Sequence, residues 1–293
     1  MKKLLSVLAF SVLILTCQAK ELSLNLKAGQ VYQQELNNQM DIQLRIEGND
    51  MLIHGNFDIV VEYLVKSADS DDYEMQMSLK NVRANISGDQ FNLSLDTAAS
   101  ENNPFNAILK LVVNKPIVYT MSKTGKILDI PDLSGLNLDL NLSGDTTLTK
   151  LLEESMNSNS GGLMPSVYPD KEVNVGDSWT VSSKMPNSEN KMVNTYTWKS
   201  SKRGKNIIEM NTDDFDLDFK VPIKSEQEIT LRVQMKGNSG GEFQLDKKTG
   251  WVEASESHFD AECKVTLAPN AQMPDGAEFP LSIHIISKAS ELK

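Results

Sequence analysis

The strongest constraint in this chain is a period of two that runs far longer than an ordinary strand. From residue 31 to 47, Tyr32, Leu36, Met40, Ile42, Leu44 and Ile46 fall on one face, with Gln33, Glu35, Asn37, Gln39, Asp41, Gln43, Arg45 and Glu47 opposite. Strict alternation of this kind belongs to an antiparallel strand with one wet face, because successive side chains of a strand point to opposite sides. It returns at Met51 to Val65, where Ile53, Phe57, Ile59, Val61, Tyr63 and Val65 share a face, and at Tyr73, Met75, Met77 and Leu79. Later stretches repeat it, with Ile229, Leu231, Val233 and Met235, then Phe259, Ala261, Cys263, Val265 and Leu267. Common strands have about five or six residues, and longer twisted ones make a sheet that curls. The fold class expected is mainly β: long, curved antiparallel sheet, half-barrel or sandwich-like.

Two segments read as short helices. In one, Asn103 caps, Pro104 takes the first helical position, and Phe105, Ile108, Leu109 and Val112 form a stripe that Pro116 ends. The other begins near Asp145 and carries Leu148, Leu151, Leu152 and Met156 on one face. The polar run that follows, with Gly161 and Gly162, reads as a linker. This divides the chain into a β unit over 20–156 with two helices, a linker over 157–165 and a second β unit over 166–293.

The stretches on either side of that linker resemble each other. Leu26-Lys27-Ala28-Gly29-Gln30-Val31-Tyr32 answers to Val173-Asn174-Val175-Gly176-Asp177-Ser178-Trp179. Tyr63-Leu64-Val65-Lys66-Ser67 answers to Tyr196-Thr197-Trp198-Lys199-Ser200, with Glu74-Met75 and Glu209-Met210 following. Ser122-Lys123-Thr124-Gly125 answers to Lys247-Lys248-Thr249-Gly250. Three matches in one order read as an internal duplication in which the first copy gained a helix. The Thr-Gly turns have a local cause, since glycine takes the left-handed region without a Cβ clash and so closes a short hairpin.

The amino terminus reads as a secretory leader over residues 1–19: Lys2 and Lys3, an apolar run from Leu4 to Leu15, then small or polar residues to Ala19. The run is shorter than the roughly 20 residues that span a bilayer, and no later stretch approaches that length, so no transmembrane segment is expected in the mature chain. The expected location is the periplasm. Cleavage before Lys20 competes with acylation of Cys17, which would make a lipid-anchored envelope protein; Thr16 is a bulky residue to precede a lipidated cysteine and favours the first. Either way Cys263 is the sole thiol of the folded part, so no disulfide framework forms. Loss of the leader removes two lysines and takes the net charge from −11 to −13, an acidic average that repels nucleic acid and anionic membrane faces.

The chain offers little to catalysis. His54, His258 and His284 each fall on a wet strand face with no second ligand at metal spacing. Cys263 lies on an apolar face, as a structural cysteine does. Asp214, Asp216 and Asp218 point one way along a strand, and Asp69, Asp71 and Asp72 crowd a turn, but the glycine-containing calcium-loop spacing is absent. No Gly-x-Ser-x-Gly elbow occurs, and nothing places two carboxylates across a cleft. No catalytic residue, metal ligand or cofactor is expected. What stands out is the methionine in strand contexts, which either fills a core or lines an adaptable site for acyl chains. The candidate ligand residues are Met40, Leu44, Ile53, Phe57, Met75 and Met77.

Tyr168-Pro169, the Val175-Gly176-Asp177-Ser178-Trp179 stretch and the later Leu245-Asp246-Lys247-Lys248-Thr249-Gly250 together resemble an uncharacterised family of exported bacterial proteins. Long curling strands with one or two helices also resemble the architecture of periplasmic lipoprotein carriers, in which a part-open barrel shelters acyl chains. That second likeness implies a sheet whose open apolar face the helices cover or plug. The function expected is non-enzymatic binding in the cell envelope, of a hydrophobic or lipid-like ligand; a structural or protein-docking role is the alternative, and an envelope hydrolase a distant third. The leader reading predicts a mature chain that starts at Lys20 without acylation. Intact mass of the exported protein checks it, and a diacylglyceryl group on Cys17 as first residue would refute it.

Overall fold

A computed structural model describes residues 21–46, 48–99, 106, 109–110, 112–129, 167–184, 190–223, 229–269 and 274–292. They form twelve strands: β1 (Val31–Ile46), β2 (Asn49–Ala68), β3 (Asp72–Gly88), β4 (Phe91–Asp96), β5 (Pro116–Ser122), β6 (Ile127–Asp129), β7 (Ser178–Lys184), β8 (Lys191–Lys202), β9 (Lys205–Ile223), β10 (Ile229–Asp246), β11 (Val252–Leu267) and β12 (Ala277–Leu292). All belong to one antiparallel sheet in the order β6-β5-β3-β2-β1-β12-β11-β10-β9-β8-β7, with β4 also paired to β3. The alternation is as long as the sequence implies, since β2 has 20 residues and would reach about 65 Å if fully extended. The terminal strands β6 and β7 are short, with 3 and 7 residues, whereas β9 runs on past its pairing with β8, which ends at Asn194↔Thr212.

The two β units expected from sequence are parts of this one sheet. Strand β1 pairs with β12 from Gln33↔Leu292 to Leu44↔Leu281, so the first strand of one unit and the last of the other share a continuous ladder. Of the first expected helix, Asn106, Leu109, Lys110 and Val112 are described as helical, and the Val113 amide donates to the Leu109 carbonyl at 3.2 Å. The second helix and the linker lie outside the described residues. Among the described residues no helix is long and apolar enough to cross a membrane.

Within each stretch the strands run as a meander of nearest neighbours, β1-β2-β3-β5-β6 and β7-β8-β9-β10-β11. Local geometry matches as well. Gly29 N–H donates to Val65 O at 2.8 Å and Val65 N–H to Gln30 O at 2.9 Å; Gly176 N–H donates to Trp198 O at 2.7 Å and Trp198 N–H to Asp177 O at 3.0 Å. Bulges follow both, between Val65 and Ser67 and between Trp198 and Ser200, so Lys66 and Lys199 are the extra residues. Each reaches a glutamate on the next strand, Lys66 to Glu74 and Lys199 to Glu209.

At the end of the sheet that carries the Thr-Gly turns, both stretches share one core. It includes Tyr63, Val65, Tyr73, Met75, Met77 and Met121 from the first and Trp179, Tyr196, Trp198, Ile208, Phe243 and Trp251 from the second. Trp251 is fully buried, stacked on Tyr32 at 4.1 Å and edge-on to Tyr63 at 5.3 Å. Burial holds the Tyr63 phenol far above its ordinary pKa, and pushes Tyr196 up to about 12. The indole N–H of Trp251 has no partner, at a cost of about 1–3 kcal/mol that only the packing of the ring offsets.

The amino-terminal segment closes this end. Leu24 N–H donates to Lys123 O at 2.8 Å and Asn25 N–H to Thr249 O at 2.7 Å, so the chain lies between the two Thr-Gly turns. Tyr73 donates its hydroxyl to Leu24 O at 2.8 Å and accepts from the Leu26 amide at 3.2 Å, while Leu22, Leu24 and Leu26 enter the core. Gly250 meets this segment closely: at φ +73°, a Cβ on it would lie 2.3 Å from Ser23 O. Gly29, at φ +83°, has open space around it. Gly29→Ala is therefore expected to cost about 1–2 kcal/mol, the left-handed penalty alone. Gly250→Ala should cost clearly more, because the backbone of the amino-terminal segment must also move; urea unfolding of both variants checks the order.

Candidate ligand-binding face

The register places all six candidate residues on one face of the sheet but at two different depths. Cross-strand partners Tyr63↔Met77 and Val65↔Met75 put both methionines inside the packed core, at 0% and 2% exposure for Met75 and Met77. Met40, Leu44, Ile53 and Phe57 lie on the far half of the strands, where they are half-buried. The extra residue Lys80 at the β2–β3 bulge lets the face pass from odd positions (Met75, Met77, Leu79) to even ones (Val82, Ala84, Ile86) without a break.

Met40 and Phe57 come together over Gly55. A Cβ on Gly55 would lie 2.8 Å from the Phe57 ring and 3.2 Å from the Met40 methyl, so the missing side chain is what lets both lie against the sheet. The same device recurs across the face. The Phe91 ring covers Gly88, and the Phe215 ring covers its cross-strand partner Gly237. Glycine under an aromatic ring lets a sheet bend while the ring restores the lost packing.

The second half contributes apolar residues to this face that the sequence reading did not select. Phe215, Leu217, Ala261 and Cys263 are buried in a cluster of their own, with Met192, Phe219, Met235, Phe259, Leu281 and Ile283 packed against it. Phe215 and Phe259 stack at 5.4 Å. The period at Phe259 to Leu267 and Ile229 to Met235 marked four of these, Met235, Phe259, Ala261 and Cys263, as one-sided. Nothing local showed that they continue the face of Met40 and Ile53, because that depends on β1 pairing with β12: Ile42 lies between Ile53 and Ile283, and Ile283 beside Ala261. Cys263 is buried and its thiol is pushed up to about 11, chiefly by burial, which suits packing and not nucleophilic attack.

The opposite face is polar and cross-braced. Asp216 pairs with Lys236 at 2.9 Å, Asp218 with Arg232, Lys264 with Glu278 at 2.7 Å and Lys288 with Glu256 at 3.1 Å. The alternating aspartates are thus partners of cations on the neighbouring strand. His54 and His284 bond Asp41 and Asp260 on this side, and exposed His258 covers Gly240. A cleft of about 500 Å³ here is lined by Asp41, Lys236, Asp260, Glu262 and His284 among others. Among the described residues no group of three His, Cys, Asp or Glu side chains is set to hold a metal ion.

Comparison with known proteins bears on family and fold. The model of "Family of unknown function (DUF6263)" matches residues 70–252, a range that includes the three stretches quoted above. No curated protein matches. Among solved structures, lipovitellin, studied for its lipid–protein interactions, is similar at TM-score 0.50 and 11% identity over 92% of this chain. The match spans 26% of the lipovitellin chain, and at that identity it speaks to the fold alone. An outer membrane channel from Pseudomonas putida F1 aligns over 92% of this chain and 98% of its own at 7% identity, but at a TM-score of 0.26 it carries no argument.

The two depths of the face predict opposite outcomes for one kind of change. Met77→Asp should unfold the protein, because an unpaired buried carboxylate costs several kcal/mol against a total stability of about 5–15 kcal/mol. Ile53→Asp should leave the fold intact, since water reaches the far half of the face. Thermal melts followed by circular dichroism compare them.

Proposed function

The chain belongs to that family of unknown function, and we propose that it binds a hydrophobic or lipid-like ligand across the far half of its apolar face, without catalysis, in the cell envelope. One observation carries this reading. The apolar residues do not stop where the packed core stops: they continue as half-buried side chains over β1, β2, β12, β11, β10 and β9, with Ile42, Ile53, Ile283, Phe259, Met235 and Phe219 as examples. A contiguous apolar area of this kind costs free energy unless something apolar meets it. The flexible, polarisable Met40, Met192 and Met235 suit an acyl chain of no fixed shape. Similarity to the fold of lipovitellin is compatible with this reading and adds nothing on ligand identity.

The same proposal includes the origin of the sheet. The matched Gly29 and Gly176 turns, the paired Lys66–Glu74 and Lys199–Glu209 bridges and the common meander support a duplication, with β12 added to close the seam. Export through residues 1–19 to the periplasm is the setting in which the reading makes sense, and lipid anchoring through Cys17 is the alternative form of it.

Protein purified from its native host should yield acyl lipid on solvent extraction and mass spectrometry, in amounts comparable to the protein. The wild type should take up a fluorescent fatty acid, and Ile53→Asp combined with Met235→Asp should abolish uptake while the fold persists. A stable wild-type protein with neither native lipid nor probe uptake would overturn the reading and leave protein docking in its place.

A further inference from the structure

A polar belt crosses the apolar side of the sheet over six neighbouring strands. Taken in sheet order, its residues are Asn194 on β8, Thr212 on β9, Ser239 on β10, Ser257 on β11, Ser287 on β12 and Asn38 on β1. The register sets them side by side: Asn194↔Thr212 and Thr212↔Ser239 are cross-strand partners, as are Ser257↔Ser287 and Ser287↔Asn38. Between Ser239 and Ser257 the line steps by two residues, through Gly241, the partner of Ser257. On one side of the belt lies the packed core, with Tyr196, Met210, Phe243 and Leu36. On the other lies the far apolar half, with Phe215, Phe259, Ile285 and Met40.

The two parts of the belt differ in how their polar atoms are used. Asn194, Thr212 and Ser239 are buried and satisfy one another. The Thr212 hydroxyl donates to Asn194 Oδ1, so it accepts from the Ser239 hydroxyl at 2.8 Å. Asn38, Ser257 and Ser287 are half-buried, and among the described residues their side chains form no hydrogen bond with the protein. They sit on three adjacent strands and span about 10 Å. The rows that flank them on the inner face are Leu36, Ala289 and Ser255 on the core side and Met40, Ile285 and Phe259 on the far side, so no charge borders them there.

We infer that this half of the belt receives the head of the ligand, and that the ligand is an acyl amphiphile with an uncharged, hydroxyl-bearing head, of the monoacylglycerol kind. This rests on the ligand reading above and gives the ligand a direction: head at the belt, acyl chain over Met40, Ile285 and Phe259 toward the far end of the strands. The chemistry follows from the three side chains. Serine hydroxyls and an asparagine amide each donate and accept, and so does a hydroxyl head. An ionised head at this depth finds no cation on the inner face, and a half-buried charge without a partner is costly. The hydroxyl donors of the buried part are already committed, which confines the head to β1, β12 and β11.

Competition against the fluorescent fatty acid tests it, with decanoate and monodecanoylglycerol as competitors at a pH where the acid is fully ionised. The wild type should bind monodecanoylglycerol about tenfold more tightly than decanoate. In the triple variant Asn38→Ala, Ser257→Ala, Ser287→Ala that preference should vanish while the fluorescent acid is still taken up. A control that removes as many polar groups from the outer face of the same strands, Gln39→Ala, Thr266→Ala, Ser282→Ala, should keep the preference. Melting curves confirm that both variants fold. Equal affinities in the wild type, or a preference that survives in the triple variant, would overturn the inference and leave the ligand reading standing. So would loss of the preference in the control, or loss of all uptake in the folded triple variant. A wild type that takes up no acyl probe would overturn both.

Discussion

The structure depends on a short amino-terminal segment held between two turns that lie far apart in sequence. A curled sheet of twelve strands has nothing in its own ladder to fix how tightly one end closes. Leu24 and Asn25 supply that by bonding Lys123 O and Thr249 O, and Tyr73 holds Leu24 and Leu26 from within. Because three leucines of the segment enter the core at the same place, the polar staple and the apolar seal are one element. Among the described residues Cys263 is the sole cysteine, so this closure is made there without a disulfide.

That closure sets the character of the rest of the inner face. Near the staple, aromatic and methionine side chains from both stretches fill the space around Trp251, and a charge has no place there. Farther along the strands the same alternation continues, with phenylalanine rings lying over glycines, a small buried cluster around Phe215 and half-buried side chains beside it. The outer face carries the opposite logic, with aspartates and glutamates bonded across strands to lysine, arginine and histidine. Such exposed pairs contribute little stability each, but they keep a long polar surface compatible with strands of uniform register.

Half of the candidate ligand face was legible before the structure. Met40, Leu44, Ile53 and Phe57 were read correctly as one-sided, because period two is a local property of the backbone. Met75 and Met77 satisfied the same pattern and are core residues, since burial depends on what crosses over a strand and alternation only reports which side it shows. The partners from β9, β10, β11 and β12 were invisible as partners: whether Ile283 extends the face of Ile42 is a question of which strands pair. The closed end was equally hidden. The separate turns look like ordinary hairpins until Lys123 is seen bonded to Asp71, Lys247 to Gly204 and the amino-terminal segment to both Thr-Gly turns.

By itself, then, the sequence determined the strands, their long reach, their wet and dry faces and the turns that end them, because each follows from steric and solvation preferences within a few residues. It also showed the two matching stretches, whose glycines answer to the same φ requirement in both. Only the tertiary structure decided that these stretches make one sheet and not two, which half of the apolar face is packed, and which turns meet at one end. Those outcomes turn on the β1–β12 ladder and on a segment threaded between turns more than a hundred residues apart. Interactions of that range have no local signature, so the chain had to be seen folded before they could be read.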